Sequence, residues 1–348
     1  RYTTIEALEW STTNPVVTKL TPAAEHLSDE YPFSAYVVAP ATYNTINKIS
    51  CGIADSVITS TVASALGRME RSKTQVLFAP TMHGSLHNSI LTASLHKLQA
   101  MGVKIIPPTV AYGKNLLPPE STIVAEVIRS VSNSALKDIP ILVTGGNTPV
   151  PIDNVRRITN RFTGKLGGYI AEELYFRGAA VKLICGQGSY IPPEYLPHQK
   201  IHTYSEYKTA LIRELASINY QYAIFSAAVA DYEPDKVFPG KIPSGGALQT
   251  INLVPTTKVI AEVRDKFPDL YMVTFKYQEN ITHEQLMKIA HTRLQQGYQM
   301  VVANRGEETG NKGEQIAYLV TQNQPEIKVT GKREIANAIS DNLEALLI

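Results

Sequence analysis

Glycines that follow a buried strand are the first residues in this chain with the capacity for chemistry. Residues 141–146 read ILVTGG, so Gly145 and Gly146 come directly after an apolar run. Because glycine has no side chain, backbone N–H groups at such a turn can approach a phosphate closely. Thr163 and Gly164 then open a helix, and the N-terminal amides of a helix attract anions. The sequence therefore predicts two anion-binding turns within one strand-turn-helix unit.

Single residues in this region also have ordinary structural explanations. A glycine pair after a strand is often only a turn, and Asn160 is a residue type that frequently caps helices or turns. A loop lysine such as Lys241 is usually solvated, Asp231 can cap a loop, and Phe275 is a typical core residue. A functional interpretation therefore depends on the order of the motifs, not on any one side chain.

Short apolar runs alternate with longer amphipathic segments along most of the chain, which is the pattern of parallel strands joined by crossover helices. We therefore predict an α/β protein with two doubly wound domains, separated by the polar residues 132–138 and divided between residues 134 and 135. The predicted strands are 35–39, 75–78, 104–106, 141–144, 180–184, 222–225, 272–275 and 300–303. The predicted helices are 56–66, 85–101, 121–131, 165–177, 207–218, 283–296 and 333–347.

The composition favours a protein that acts on small molecules. Its 348 residues include 33 Lys and Arg against 31 Asp and Glu, without the basic stripe that nucleic acid or an anionic membrane requires. Cys51 and Cys185 have no metal-ligand spacing, and no apolar run reaches the roughly 20 residues that span a bilayer. We therefore expect a soluble, cytoplasmic protein with reduced cysteines.

Taken in order, the motifs from residue 141 onward resemble those of phosphopantothenoylcysteine synthetase, the ligase of coenzyme A biosynthesis. The shared pattern is a strand, a glycine turn, PID, VR, ITN and TGKLG, then AAVADY at 227–232, GKI at 240–242, VTFK at 273–276 and VAN at 302–304. The resemblance covers residues 141–348. It implies a Rossmann-like ligase domain over residues 135–348 that joins 4′-phosphopantothenate to cysteine through an acyl-nucleotide intermediate.

The same resemblance implies roles for individual residues. Lys241 would be a catalytic point cation beside phosphate charge, and Asn160 would handle the acyl nucleotide through its amide. Asp231 would bind the nucleotide or its Mg²⁺. The remaining nucleotide-binding residues would be Gly145, Gly146, Thr257, Lys258, Val259, Ile260, Phe275 and Lys276. The substrate would also contact Arg157, Thr163 and Gly164.

Several positions depart from the common bacterial pattern and leave the nucleotide open between CTP and ATP. Gly146-Asn147-Thr148 stands where the bacterial form has GGT, so Asn147 replaces a glycine, and Phe275-Lys276 has the eukaryotic or archaeal style. Two lysines that bacterial members carry before the VAN strand correspond to Thr292 and Gln296, so Arg293 and Lys276 are the available phosphate partners. The bacterial form prefers CTP and the eukaryotic form ATP.

Residues 36–55 resemble the flavoprotein phosphopantothenoylcysteine decarboxylase, which many microbes fuse ahead of the synthetase. The resemblance implies a flavodoxin-like domain over residues 1–134 that binds FMN. His26 would act on the thiol-bearing substrate, and Asn44 would hold its carboxylate against the flavin. The residues implied to bind the cofactor are Pro40, Thr42, Asn44, Met82 and His83.

Two features depart from an active decarboxylase of the usual bacterial kind. The strand and glycine turn with which the family's flavin site begins have no counterpart, so we expect an incomplete first domain. Tyr112 stands near the position of the cysteine that donates the final proton, and a phenol has a reference pKa of about 10 against about 8.5 for a thiol.

Two other functions stay open at this point. The protein can be a ligase alone, with the first domain a non-catalytic oligomerisation scaffold. A dinucleotide-dependent oxidoreductase is a further alternative, but no G-x-G-x-x-G follows a strand with an acidic residue about 20 positions later. The resemblance implies ligase dimers and flavoprotein trimers, so the expected partners are small-molecule substrates and other copies of the chain.

Overall fold

The computed structural model describes residues 4–27, 33–71, 74–111, 114–188, 190–246 and 248–348. Its contacts divide the chain into two compact units, Arg1–Val131 (unit 1) and Ser132–Ile348 (unit 2). This division lies three residues before the predicted boundary. Among the described residues, no helix combines the length and the apolar character needed to cross a bilayer.

Unit 1 contains a parallel sheet with the strand order β1-β2-β4 and a small antiparallel sheet with the order β3-β6-β5. Its core lies between the parallel sheet and the helices, and includes Val38, Ile46, Phe78, Leu91 and Leu98. The elements are α1 (Ile5–Thr12), a 3-10 helix (Glu25–Leu27), β1 (Ala35–Ala41), α2 (Tyr43–Ser50), α3 (Val57–Glu70), β2 (Gln75–Pro80), β3 (Met82–His83), a 3-10 helix (Gly84–Leu86), α4 (Ser89–Ala100), β4 (Lys104–Ile105), β5 (Thr109–Ala111), β6 (Lys114–Leu116) and α5 (Glu120–Val131).

Polar caps decide where the helices of unit 1 begin. Ser56 and Thr59 form a reciprocal capping box at the start of α3. Asn88 accepts from the backbone N–H of Leu91 and starts α4, so the helix predicted from Ser85 is interrupted before that point. Helix α2 was not predicted, although Thr42 caps it through the N–H of Thr45.

Unit 2 is built on an eight-stranded sheet with the order β11-β10-β7-β12-β15-β16-β17-β18. The strands from β11 to β16 are parallel, and β17 and β18 add an antiparallel edge. The elements are β7 (Pro140–Gly145), β8 (Val150–Pro151), β9 (Arg157–Ile158), α6 (Lys165–Phe176), β10 (Ala180–Cys185), β11 (His198–Lys200), α7 (Tyr204–Ser217), β12 (Tyr222–Phe225), β13 (Tyr232–Pro234), β14 (Leu253–Pro255), α8 (Val259–Lys266), β15 (Tyr271–Gln278), α9 (His283–Gln295), β16 (Met300–Arg305), β17 (Ile316–Thr321), β18 (Ile327–Thr330) and α10 (Lys332–Ala345).

The strand order of unit 2 reverses direction at β7 and β12. From β7 the chain proceeds to β10 and β11 on one side, and β12 then pairs with the opposite edge of β7. In open α/β sheets, ligands bind outside the carboxyl ends of the strands at such a switch point. Gly145 ends β7 and Phe225 ends β12, so the glycine turn lies beside this crevice.

Candidate functional site

Glycines allow the start of α6 to pack directly on the carboxyl end of β7. A Cβ on Gly167 would lie 2.8 Å from the Cα of Gly145, which is closer than real contacts allow. Gly146 has a φ of +76°, and a Cβ there would lie 2.9 Å from the carbonyl oxygen of Gly186. Gly145 and Gly167 therefore bring the first turn of α6 to the switch point, and Gly146 and Gly186 bring together the turns that follow β7 and β10.

A cavity of about 430 Å³ opens at this point, and we call it the first cavity. Gly164 begins α6 without a side-chain cap, and the first N–H groups of a helix have no intrahelical partners. Phe275 and Tyr277 line the cavity, and the Tyr277 ring packs edge-on against Phe162 at 5.8 Å. The cationic side chains at the lining are those of Arg161, Lys165, Arg305 and Lys332. The first cavity therefore suits an anionic group attached to a less polar body.

One carboxylate also lines the first cavity. Glu308 accepts hydrogen bonds from Arg305 and from the Tyr318 hydroxyl, both at 3.1 Å. The Arg305 contact is the largest influence on Glu308 and lowers the pKa of its carboxyl group. Glu308 is therefore ionised near neutral pH and offsets part of the charge of Arg305, so the cationic character comes mainly from Arg161, Lys165 and Lys332.

Asn160 lies beside the first cavity on a loop that a buried asparagine secures. Its Nδ2 donates to the carbonyl of Ala228, a lining residue, at 3.0 Å. Asn147 is 7% exposed, and its Nδ2 donates to the carbonyls of Asn160 and Phe162, each at 3.3 Å. The Asn160 amide is thus positioned by contacts with both β7 and β12 loops.

Lys241 is exposed, and the structure fastens the backbone on either side of it. Asp153 is 4% exposed and accepts from the N–H of Ile242 at 3.0 Å. The same carboxylate accepts from the N–H groups of Val155 and Arg156 and from the Arg156 guanidinium at 2.6–2.8 Å. The Ile242 N–H, followed by these other donors, lowers the pKa of the Asp153 carboxyl group against the opposing effect of burial.

A second cavity of about 590 Å³ is lined by several cationic side chains. Lys276 and Arg293 line it with Lys258, and Lys258 forms an ion pair with Asp231. Burial lowers the pKa of Lys276, and the nearby positive charge of Arg293 lowers it further. The other lining residues include Ile260, Arg264, Thr292, Gln296 and Tyr298. This second cavity therefore suits an anion with several charges.

The structure separates some residues that the sequence analysis grouped together. Phe275 lines the first cavity and Lys276 the second, because successive strand residues point to opposite faces. Val259 is 2% exposed and packs in the core, so its side chain is unavailable to a ligand. The carbonyl of Thr257 instead accepts from the Tyr204 hydroxyl at 2.7 Å, and its hydroxyl accepts from Lys208 at 3.1 Å. These four side chains therefore do not line a single cavity, and their role in nucleotide binding stays a prediction.

Arg157 is also engaged by a neighbour. Its guanidinium donates to the Gln187 side chain at 3.0 Å, and the Gln187 amide contacts His202 Nδ1 at 3.1 Å. The adjacent Arg156, which was not singled out, donates instead to Asp153 and to the carbonyl of Ile242. Arg156 is thus the arginine that contacts the Lys241 loop, and its place in the VR motif was the available signal.

In unit 1, the implied flavin residues follow the carboxyl ends of two adjacent parallel strands. Pro40 and Asn44 are exposed at the end of β1, while Thr42 uses its hydroxyl to cap α2. Met82 is 8% exposed and belongs to the core, and His83 is exposed with Nδ1 2.9 Å from the Ser85 hydroxyl. His26 has a buried Nδ1 without a hydrogen-bond partner among the described residues.

The implied proton donor of unit 1, Tyr112, lies outside the described residues. Cys51 is exposed and Cys185 is buried, both with free thiols. Within the described ranges, no group of three or more His, Cys, Asp and Glu side chains converges as a metal site.

Comparisons with known proteins match both units. Residues 136–347 match the model of the DNA/pantothenate metabolism flavoprotein C-terminal domain, and residues 2–132 match the flavoprotein model. The chain is 34% identical over 348 residues to the coenzyme A biosynthesis bifunctional protein CoaBC of Thermococcus kodakarensis, covering 98% of this chain and 84% of the relative. The chain belongs to the CoaBC family.

Another CoaBC protein, from Methanocaldococcus jannaschii, is 30% identical and covers 98% of this chain and 83% of its own length. The crystal structure of the DNA/pantothenate metabolism flavoprotein from Streptococcus pneumoniae superimposes with a TM-score of 0.54 at 28% identity. It covers 60% of this chain and 99% of its own. The predicted family, the α/β fold class and the role as a bifunctional ligase and decarboxylase of coenzyme A biosynthesis are confirmed. The flavoprotein match also supports a flavin-type first domain.

Proposed function

We propose that unit 2 of this CoaBC protein joins 4′-phosphopantothenate to cysteine with a nucleoside triphosphate as the energy source. The observation that carries the proposal is the first cavity, where the uncapped start of α6 and the cations Lys165 and Lys332 meet at the switch point. A helix N-terminus with adjacent cations stabilises a phosphate group. The phosphate of phosphopantothenate would bind there, with its chain beside Phe275 and Tyr277.

The nucleotide would bind with its phosphates toward the second cavity, where Lys258, Lys276 and Arg293 offer positive charge. Asp231 is a single exposed carboxylate, which fits Mg²⁺ because this ion usually takes one or two carboxylates together with phosphate oxygens and water. When bound, Mg²⁺ supplies neutralisation of phosphate charge. The choice between CTP and ATP stays open, and the test supplies each nucleotide in turn.

The reaction would proceed in two displacements. A carboxylate oxygen of phosphopantothenate attacks the α-phosphorus, the bond to the bridging oxygen breaks, and pyrophosphate leaves. The cysteine amine then attacks the activated acyl carbon, the bond to the nucleotide phosphate oxygen breaks, and the amine loses a proton. Lys241 would stabilise the negative charge that develops on phosphate oxygens, and Asn160 would orient the acyl nucleotide through its amide.

We further propose that unit 1 decarboxylates 4′-phosphopantothenoylcysteine with FMN. The support is the exposed position of Asn44 in the first turn of α2, directly after β1, and the buried Nδ1 of His26, which has no hydrogen-bond partner among the described residues. FMN, when bound, supplies an electron acceptor. Asn44 would hold the substrate carboxylate, and His26 would take up or hold the thiol proton. Oligomeric state and cytoplasmic location stay predictions.

The ligase proposal is tested by supplying phosphopantothenate, cysteine and Mg²⁺ with CTP or ATP in turn. We expect pyrophosphate release that requires phosphopantothenate, and amide formation that requires cysteine as well. Absence of pyrophosphate with both nucleotides would contradict the proposal. Release of nucleoside diphosphate and phosphate would instead indicate an acyl-phosphate mechanism.

A further inference from the structure

A buried carboxylate lies under the loop that carries Lys241. Asp153 is in the turn between β8 and β9, and its side chain is fully buried. Burial of a charged group is unfavourable unless hydrogen bonds replace its water. Oδ1 accepts from the N–H groups of Val155 and Arg156, at 2.8 and 2.6 Å, and these bonds organise the turn itself.

The other carboxylate oxygen serves a different purpose. Oδ2 accepts from the N–H of Ile242 at 3.0 Å and from the Arg156 guanidinium at 2.7 Å. The same guanidinium donates to the carbonyl of Ile242 at 3.2 Å, so Asp153 and Arg156 together hold both polar groups of that peptide residue. On the other side of Lys241, the N–H of Asn154 donates to the carbonyl of Gly240 at 2.9 Å.

Other backbone hydrogen bonds hold the Lys241 loop further from the lysine, from the N–H of Phe238 to the carbonyl of Ile152 at 2.9 Å and from the N–H of Asp235 to the carbonyl of Asn252 at 3.0 Å. Residues 235–246 contain no helix or strand, and Cβ atoms built on Gly240 and Gly245 would meet nothing within 4 Å. A lysine on such a loop loses conformational freedom each time it is brought to a substrate. Fixing the backbone on both sides of Lys241 lowers this entropy cost and confines the ammonium group to the region around one binding position.

We propose that Asp153 is a positioning residue for ligation, acting through the N–H of Ile242 to hold the Lys241 loop in its productive place. This inference depends on the proposed role of Lys241. Asp153 would not touch the substrate itself, because its carboxylate is buried beneath the loop and accepts hydrogen bonds from protein groups.

The test replaces Asp153 by Asn, which keeps the shape and the Oδ1 acceptor but removes the acceptor at Oδ2. We expect kcat for pyrophosphate release to fall about 100-fold, as for a misplaced catalytic group. The KM for the nucleotide should change by less than about threefold, because the lysine acts mainly in the transition state. Amide hydrogen exchange of residues 238–246 should become faster, while exchange in the strands of unit 2 is unchanged.

Glu344→Gln is the matched control, because it makes the same carboxylate-to-amide change at a site in α10. Glu344 accepts from the N–H of Ala135 and from Arg177, both at 2.9 Å, and is not part of either cavity. This variant should keep the kcat and the exchange of residues 238–246. If Asp153→Asn accelerates exchange throughout unit 2, its role is only structural and the proposal is wrong.

A double-mutant cycle separates this inference from the proposed role of Lys241. If Asp153 acts through Lys241, Asp153→Asn should have almost no further effect in a Lys241→Ala background. Additive losses in kcat would overturn the inference and leave Lys241 intact as a catalytic residue. Near-normal activity of Lys241→Ala alone would instead overturn the role of Lys241.

A second variant covers the case in which Asp153→Asn does not fold. Ile242→Pro removes the loop-side N–H donor and leaves the buried carboxylate with its other donors. Ile242 precedes Pro243, so its backbone is already biased from the helical region towards extended and polyproline II conformations, and proline adopts the latter. This variant should also lower kcat about 100-fold. Normal activity of a folded Ile242→Pro protein would contradict the proposal.

Discussion

The two cavities of unit 2 differ in the kind of group that forms them. The first is formed largely by backbone: glycines bring the start of α6 onto β7, and helix amides face the cavity. The second is formed by long side chains, mainly Lys258, Lys276 and Arg293, on three separate elements. A backbone-built site tolerates few substitutions, whereas side chains on separate elements can be exchanged one by one. Single substitutions at the first cavity should therefore cause large losses of ligation, whereas single substitutions at the second should cause smaller losses.

The largest effect is expected from Gly146→Ala. The new Cβ would meet the Gly186 backbone at 2.9–3.1 Å in a residue with φ of +76°, so the turns that follow β7 and β10 must separate. We expect a loss of about 3 kcal/mol in the free energy of unfolding and at least a 100-fold loss of ligation. Chemical denaturation and pyrophosphate release measure the two effects.

Gly240→Ala is the control for this prediction, since Gly240 has a φ of +81° but open space around its Cα. This variant should lower the free energy of unfolding by about 1 kcal/mol, because of its backbone conformation alone. Equal destabilisation of the two variants would show that φ strain, not the close approach of the turns after β7 and β10, explains the glycine at position 146.

The next effect is expected at the edge of the first cavity, from Asn160→Ala. Ligation should fall about 100-fold because the amide that orients the acyl nucleotide is lost. The fold should lose only about 1 kcal/mol, since one hydrogen bond to Ala228 disappears. Ligation rates and thermal unfolding check this prediction. An unfolded variant, or a folded one with normal ligation, would contradict the assignment of Asn160 to substrate handling.

These differences explain how much of the site could be predicted. Gly145, Gly146 and the TGKLG turn were identifiable because close backbone approach requires glycine, and the parallel strands followed from apolar runs of suitable length. The antiparallel edge β17–β18 was missed, since periodicity does not give strand direction. Helix α8 was not predicted, so the burial of the Val259 side chain at its first position was missed, whereas Ile260 does line the second cavity.

Other errors came from contacts that are distant in the chain. Asp153 and Arg156 lie in motifs that were recognised, but their partner Ile242 is about 90 residues away, and no local pattern encodes that hydrogen bond. The opposite directions of Phe275 and Lys276 could have been inferred from the period of two in a strand. Nucleotide preference is hardest to predict because it depends on exchangeable side chains in the second cavity.

A pair of lysine variants sharpens the comparison between the cavities. Lys165→Ala should raise the KM for phosphopantothenate about tenfold, because a hydrogen bond to a charged group contributes about 1.5 kcal/mol. Lys276→Ala should raise the KM for the nucleotide by a similar factor, with little change for the other substrate. Lys200→Ala, an exposed change in β11, is the control. Steady-state kinetics with one substrate varied at a time measures both KM values. The prediction is contradicted if either variant raises the KM of the other substrate as much as that of its own.

A smaller effect is expected when Thr292 and Gln296 are both changed to Lys. Both residues line the second cavity, so the variant adds two cations where bacterial relatives of the synthetase carry lysines. The ratio of kcat/KM for CTP over ATP should rise about threefold. Competition between the two nucleotides measures the ratio. A ratio that is unchanged would mean that these positions bind phosphate without choosing the base.

The smallest effect concerns stability and its dependence on pH, through Lys276→Met. Burial and the charge of Arg293 lower the pKa of Lys276, so the folded state disfavours its protonated form. The resulting destabilisation is fully present below the folded pKa and disappears as pH rises past the ordinary value of 10.5. Lys276→Met should therefore be slightly more stable at pH 7, with a gap that narrows toward pH 10.5 in thermal unfolding. A stability difference that widens with pH would mean that neighbouring groups stabilise the protonated form of Lys276. The positive charge of the second cavity would then already be neutralised without a bound anion.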